Sequence, residues 1–128
     1  MSEIPAKLRY TKDHEWAQKL EAPKRLRVGI TDFAQNSLGD VTYLELPESG
    51  SAFKRGEILG TVESVKAVSD IYAPVSGKIV ATNNPLNENP ALLNTDPYGS
   101  GWLVEIEMEN EAEWNDLLNS DAYTQHAQ

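Results

Sequence analysis

The sequence predicts a mainly β fold of antiparallel sheets, with short helices and a helical C-terminal segment. Three observations carry this. β-type runs of three to eight residues recur along the first 108 positions. Turn signals rich in Gly, Pro, Asn, Asp and Ser stand between them. The runs are too short for a parallel sheet, and the last alternates apolar and acidic residues, as a half-buried strand with one wet face should. A chain of 128 residues supports one domain with a real core, burying roughly two-thirds of the surface its unfolded form exposes. We place that domain at 1–128, with its core at about 7–108.

Strands are expected at 8–10, 15–19 and 26–30, where Leu, Tyr, Trp, Val and Ile concentrate. Thr31 then caps a short helix through Phe33, Ala34 and Leu38 that Gly39 ends. Strands follow at 41–46, 58–65, 68–72 and 78–82, divided by turns at 47–50, 54–56 and 73–77. After a loop at 83–89, Asn89-Pro90 opens a second helix at 91–94. The last strand is 102–108, in which Glu105 and Glu107 alternate with apolar neighbours. Beyond it, Asn110 with Glu113 three residues later reads as a capping box, and Trp114, Leu117 and Leu118 share a face. The helical segment is therefore set at about 110–126. Trp16, Trp102 and Trp114 are expected to be core or helix-docking anchors. A faint repeat pairs Gly39-Asp40-Val41 and Pro47 with Gly77-Lys78-Ile79 and Pro85. It suggests two related half-sheets.

Charge is segregated along the chain. Residues 1–78 hold all 11 bases and 11 acids, whereas 79–128 hold nine acids and no base, which accounts for the net −9. No basic stripe exists to follow a phosphate backbone, so neither nucleic acid nor an anionic membrane is an expected partner. No apolar run approaches the ~20 residues of a membrane helix. The start has neither a signal peptide's apolar stretch nor a transit pattern, which points to the cytoplasm, bacterial first, with a mature mitochondrial matrix form as the other option. With no cysteine and only His14 and His126, thiol chemistry is excluded, no metal site is expected, and no catalytic triad can be assembled.

The most informative segment is Val62-Glu63-Ser64-Val65-Lys66-Ala67-Val68-Ser69-Asp70-Ile71. It is a mirror image about Lys66-Ala67, so a hairpin turning there pairs Val65 with Val68, Ser64 with Ser69 and Glu63 with Asp70. Lys-Ala is poor two-residue turn chemistry and the opposed acids repel. Broken local rules mark functional positions. Lys66 is then either a solvated turn residue or a lysine held out for a modifying enzyme, and the spacing alone does not name the attached group.

The stretch from Glu63 to Gly77 closely resembles the lipoyl-attachment motif of the glycine cleavage H-protein family. The likeness extends through His14-Glu15-Trp16, Gly29-Ile30-Thr31-Asp32, Leu38-Gly39-Asp40, Glu45-Leu46-Pro47 and Asp96-Pro97-Tyr98. Val65 stands where lipoyl domains of 2-oxo acid dehydrogenases carry aspartate, and Lys66 lacks the methionines that flank a biotinyl lysine. The resemblance implies a lipoyl/biotinyl-domain-like flattened β-barrel of two antiparallel sheets. It also implies covalent lipoate on Lys66 in the context of Glu63, Ser64, Val65 and Ala67, and a non-catalytic carrier with no catalytic residues of its own.

On the same ground the implied partners are a pyridoxal-phosphate glycine decarboxylase, a tetrahydrofolate-dependent aminomethyltransferase, an FAD-containing dihydrolipoamide dehydrogenase and lipoate-attaching enzymes. The carrier would shuttle glycine's aminomethyl group between the first two and reducing equivalents to the third. A loaded arm carries a protonated amine on a hydrolysable carbon, and the resemblance points to Glu15, with Asp70 and Asp13, as the acids sheltering it. Relatives often have histidine where Phe33 stands, so Phe33 is expected to pack on the arm or the core. A relay donating lipoyl or octanoyl groups to other enzymes is the alternative, and an unmodified interaction module is a third.

Overall fold

The computed structural model describes residues 4–127. Its described residues form nine strands: β1 (Arg9–Tyr10), β2 (Glu15–Lys19), β3 (Arg25–Ile30), β4 (Val41–Glu45), β5 (Ala52–Phe53), β6 (Ile58–Ser64), β7 (Val68–Tyr72), β8 (Gly77–Thr82) and β9 (Val104–Met108). Helix α1 (Asp32–Leu38) follows β3, α2 (Leu92–Thr95) precedes β9, and α3 (Ser120–Ala127) ends the described chain. Short 3-10 helices occupy Asn84–Asn87 and Glu111–Asp116. One sheet has the order β1-β2-β3-β9-β8-β5 and the other β4-β6-β7, with every pairing antiparallel. This is the two-sheet β architecture expected from the sequence.

Period-two alternation explains why these segments are strands. In β3, Leu26, Val28 and Ile30 are buried while Arg25 and Arg27 are half-exposed. In β9, Val104, Ile106 and Met108 are buried between Glu105 and Glu107. Leu44, Val62 and Ile71 of the smaller sheet belong to the same core, and each such side chain contributes about 1.5–3 kcal/mol when fully buried.

A second cluster joins Leu8, Tyr10, Trp16 and Tyr123. It docks α3 on β1, with the Tyr10 and Tyr123 rings stacked at 4.6 Å. Trp16 Nε1 donates to the Pro97 carbonyl at 3.0 Å. Gly29, its cross-strand partner, gives the indole room, since an added Cβ would stand 2.6 Å from the ring.

Several expectations change. Strand β5, pairing Ala52 with Lys78 and Phe53 with Gly77, is too short to register as a periodic run. The C-terminal segment is divided, because Leu117 is extended and the chain re-enters a helix only at Ser120. The capping box is half made. Asn110 Oδ1 accepts from the Ala112 amide at 3.0 Å, but Glu113 turns to Ser76, accepting from its amide at 2.7 Å and its hydroxyl at 3.2 Å. A half-buried tertiary partner outcompetes the local one. Trp102 is a half-buried shelf for the Arg27 guanidinium, 4.9 Å above its ring, whereas Trp16 and Trp114 are buried. His126 belongs to α3 and stacks 5.6 Å from His14. The two copies of the repeat supply β4 and β8, one to each sheet. No helix of the described residues is long and apolar enough to cross a membrane.

Candidate functional site

Strands β6 and β7 form the hairpin that holds up Lys66. Its register pairs Glu63 with Val68, Val62 with Ser69 and Thr61 with Asp70. The chain therefore turns one residue earlier than the mirror symmetry predicts, at Val65-Lys66, and Glu63 does not face Asp70. Ser64 explains the difference. Its amide donates to the Ala67 carbonyl at 2.8 Å, and its hydroxyl accepts from the Lys66 and Ala67 amides at 3.3 and 3.1 Å. A serine hydroxyl standing in for a backbone carbonyl closes the turn without glycine, and neither tip residue adopts positive φ.

Val65, Lys66, Ala67 and Val68 are all exposed, Val65 and Val68 by 71% and 66%. The tip is braced from below, where the Val65 amide donates to the Asp40 carbonyl at 3.1 Å. The Lys66 stem lies across Gly39, the residue that ends α1 at φ 74°. A Cβ at Gly39 would stand 3.3 Å from Lys66 Cε, so the glycine serves both the left-handed cap and the close approach of the lysine.

Beside this tip lies a cleft of about 290 Å³ between α1 and β7. Phe33, Ala34 and Leu38 form one wall, Val68 and Ile71 the other, and Asp13, His14 and Asp70 bring polar groups. The volume is near the ~300 Å³ lower bound of small-ligand pockets. Ala67 lines the cleft, so Lys66 stands next to it. Phe33 lines the cleft outside the core clusters and stacks on the His14 ring at 4.5 Å.

The three proposed shelter acids are not equivalent. Asp13 and Asp70 are exposed and share the cleft. Glu15 is 1% exposed and opens instead on an adjoining cavity of about 280 Å³, which Asp13 also lines. Its Oε1 accepts from Thr11 Oγ1 at 2.6 Å and its Oε2 from the Tyr72 amide at 3.1 Å. Burial raises its pKa from 4.5 to about 7; the Thr11 and Tyr72 hydrogen bonds pull the value down, and the Asp13 charge adds a further upward push. A carboxyl poised near neutrality and tied to β7 is a far more specific group than a solvated surface acid.

Sequence reasoning missed Thr11, which accepts from the Glu15 amide at 3.1 Å and holds its carboxylate, and Tyr123, which reaches His14 from 109 residues away. A Thr four residues before an acid is a visible if weak signal, whereas the tyrosine contact has none.

Comparison with known proteins gives a consistent result. The family model described as glycine cleavage H-protein matches residues 8–128. The glycine cleavage system H protein of Mycolicibacterium vanbaalenii is 52% identical over 98% of both chains. That of Opitutus terrae is 52% identical over 96% of both. A crystal structure of a glycine cleavage system H protein from Mycobacterium marinum superposes with a TM-score of 0.87 at 41% identity, covering 95% of this chain and 97% of the other.

Proposed function

From the premise that the chain belongs to the glycine cleavage H-protein family, and is thus a non-catalytic lipoyl carrier of the glycine cleavage system, we propose that Lys66 is the residue that carries the lipoate. The observation that supports this most is the tip itself. One lysine is exposed on a turn closed by Ser64, its stem laid over Gly39, beside a cleft with apolar walls and acidic ends.

The residues fit the group. The amine of Lys66 is reachable for amide formation, Phe33, Leu38 and Ile71 offer apolar surface to a hydrocarbon arm, and Asp13 and Asp70 stand where a cation would be held. Bound lipoate supplies a dithiolane that takes up the aminomethyl group of glycine and two electrons. The chain's own work is presentation and protection. Ser64 and Gly39 set the lysine's position, the α1 and β7 walls exclude water, and Asp13, Asp70 and Glu15 favour a protonated amine. Amide formation removes the Lys66 charge and leaves the surrounding carboxylates without that counterion.

The carrier works with the other enzymes of glycine cleavage. The specific partners we propose are a pyridoxal-phosphate glycine decarboxylase, a tetrahydrofolate-dependent aminomethyltransferase, an FAD-containing dihydrolipoamide dehydrogenase and a lipoate-attaching enzyme, in a bacterial cytoplasm. Tethering raises the effective concentration of the arm in each docked complex without a new contact.

Intact mass tests the attachment. Protein produced in lipoate-replete cells is expected to gain one lipoyl group, and Lys66→Arg to gain none. An unshifted wild type, or a shift that survives in the variant, overturns the assignment. For the shelter, release of the aminomethyl group from the loaded carrier is expected to quicken in Glu15→Gln, and unchanged release sinks that part.

A further inference from the structure

Behind the cleft wall, side chains from the β1–β2 turn, the start of α1 and helix α3 meet in a cluster that the carrier role leaves unused. His14 and Phe33, stacked at 4.5 Å, both line the cleft. From the far side the fully buried Tyr123 of α3 brings one hydroxyl to 2.7 Å from His14 Nδ1 and 2.8 Å from Thr31 Oγ1. Thr31 is the cap of α1, its hydroxyl accepting from the Ala34 amide at 3.2 Å. A second tie comes one turn later, where His126 Nε2 lies 2.8 Å from the Lys12 carbonyl and the two imidazoles stack 5.6 Å apart.

We propose that α3 is a strap that positions the arm cleft: the Tyr123 hydroxyl links His14 to the cap of α1 and so fixes the aromatic wall. This rests on the reading of the cleft as the arm's resting place.

The geometry supplies the coupling. A phenol with no exposure to water and two partners cannot trade either for solvent, so its removal takes a partner from both the imidazole and the threonine at once. Neither tie is local in sequence, since His14 and Tyr123 are 109 residues apart and Lys12 and His126 are 114 apart. His14 also sits at φ 69°, a conformation that a non-glycine residue holds only when its surroundings impose it.

The groups facing His14 set the sign. Burial and the His126 charge from α3 lower its pKa, Asp13 of its own turn raises it, and the net direction is down. Tyr123, Thr31 and Phe33 face it as neutral groups, the Tyr123 hydroxyl having been pushed up by burial. His14 is therefore neutral in the strapped state at neutral pH. In that form Nδ1 can accept from the Tyr123 hydroxyl, the tie that holds the wall.

Amide hydrogen exchange on the unmodified protein tests the strap without any group on Lys66. At pH 7.5, Tyr123→Phe, which keeps the ring stacked on Tyr10, is expected to speed exchange at 11–14 and 31–38 about tenfold, the effect of losing a buried hydrogen bond. A change confined to 120–127, or spread equally through β3 and β9, overturns the strap, because the first is mere fraying and the second global destabilisation. With the carrier loaded, Tyr123→Phe is expected to release the aminomethyl group several-fold faster. A loosened wall with unaltered release overturns the link to the arm, while intact mass reports separately on Lys66.

Discussion

Replacing Glu15 by glutamine is expected to stabilise the fold increasingly as pH rises, the reverse of what losing a paired carboxylate does. The carboxyl is 1% exposed and its pKa stands at about 7 instead of 4.5. Between those values the folded protein keeps a proton that the unfolded chain has released. Stability contributed by this group is complete below 4.5 and falls as pH rises toward 7. The gap of about 2.5 pH units, at about 1.4 kcal/mol each, comes to about 3 kcal/mol. Glutamine can keep both native contacts, its carbonyl accepting from the Tyr72 amide and its amide donating to Thr11 Oγ1, the atoms that now face the carboxylate.

Urea unfolding of both proteins between pH 4 and 8 reads the difference directly. The two are expected to match near pH 4, with the variant ahead by about 3 kcal/mol above pH 7. Parallel profiles would refute the reasoning, for they would mean that Glu15 is ionised throughout and that water or a rearrangement pays its burial. The same strain gives Glu15 its use. A buried carboxylate that is costly alone becomes favourable when a cation comes near, so the penalty at pH 7 is a measure of what a protonated amine in the adjoining space can recover.

Three further outcomes follow from the tip and its surroundings. Gly39→Ala, at φ 74° and facing the Lys66 stem, is expected to destabilise the fold by about 1 kcal/mol or more and to slow lipoylation, followed by mass against time. Ser64→Ala removes the acceptor of two tip amides. It is expected to lower stability by about 0.5–1.5 kcal/mol and to reduce the modification rate, with Lys66→Arg as the zero. Aminomethyl transfer between partner enzymes is expected to slow as salt rises from about 50 to 300 mM, because exposed charges are screened beyond ~10 Å, and a flat salt profile would remove electrostatics from docking.

What was legible in the sequence was whatever has a local cause. Thr31 and Gly39 bound α1 because a side-chain cap and a left-handed glycine act within a few residues, and the alternation of Val104, Ile106 and Met108 placed β9 in the core. The hairpin was legible as a hairpin but not in its register. Palindromic symmetry rewards like opposite like, whereas the chain answers to hydrogen bonds, and one serine hydroxyl moved the turn to Val65-Lys66. Glu15 and Asp70 look alike as letters. Only the fold shows one buried against β7 and the other on an exposed rim. The Tyr123 contact to His14 spans nearly the whole chain, and no periodicity encodes it.

The charge asymmetry changes meaning once the chain is folded. In sequence the bases lie in the first 78 residues and nine acids with no base lie beyond them. In space the two populations meet. Arg27 pairs with Glu105 at 2.8 Å, Lys54 with Glu109 at 3.3 Å, and Arg55 with Asp116 at 2.7 Å and Glu113 at 3.7 Å. Each pair joins a base from the first part to an acid from the second, so four of the nine C-terminal acids are spent inside the molecule. Most of these pairs are exposed and worth at most about 1 kcal/mol apiece. Their larger effect is to remove those acids from the outward field. The carboxylates around the hairpin face come instead from the neutral half: Asp13 and Asp70 on the cleft, and Glu63 beside the tip. No base lies in β4, β6 or β7, and acylation silences Lys66 itself. A partner that reads charge should therefore read the hairpin face, and the salt dependence of transfer should respond to Asp70→Asn while ignoring Glu109→Gln.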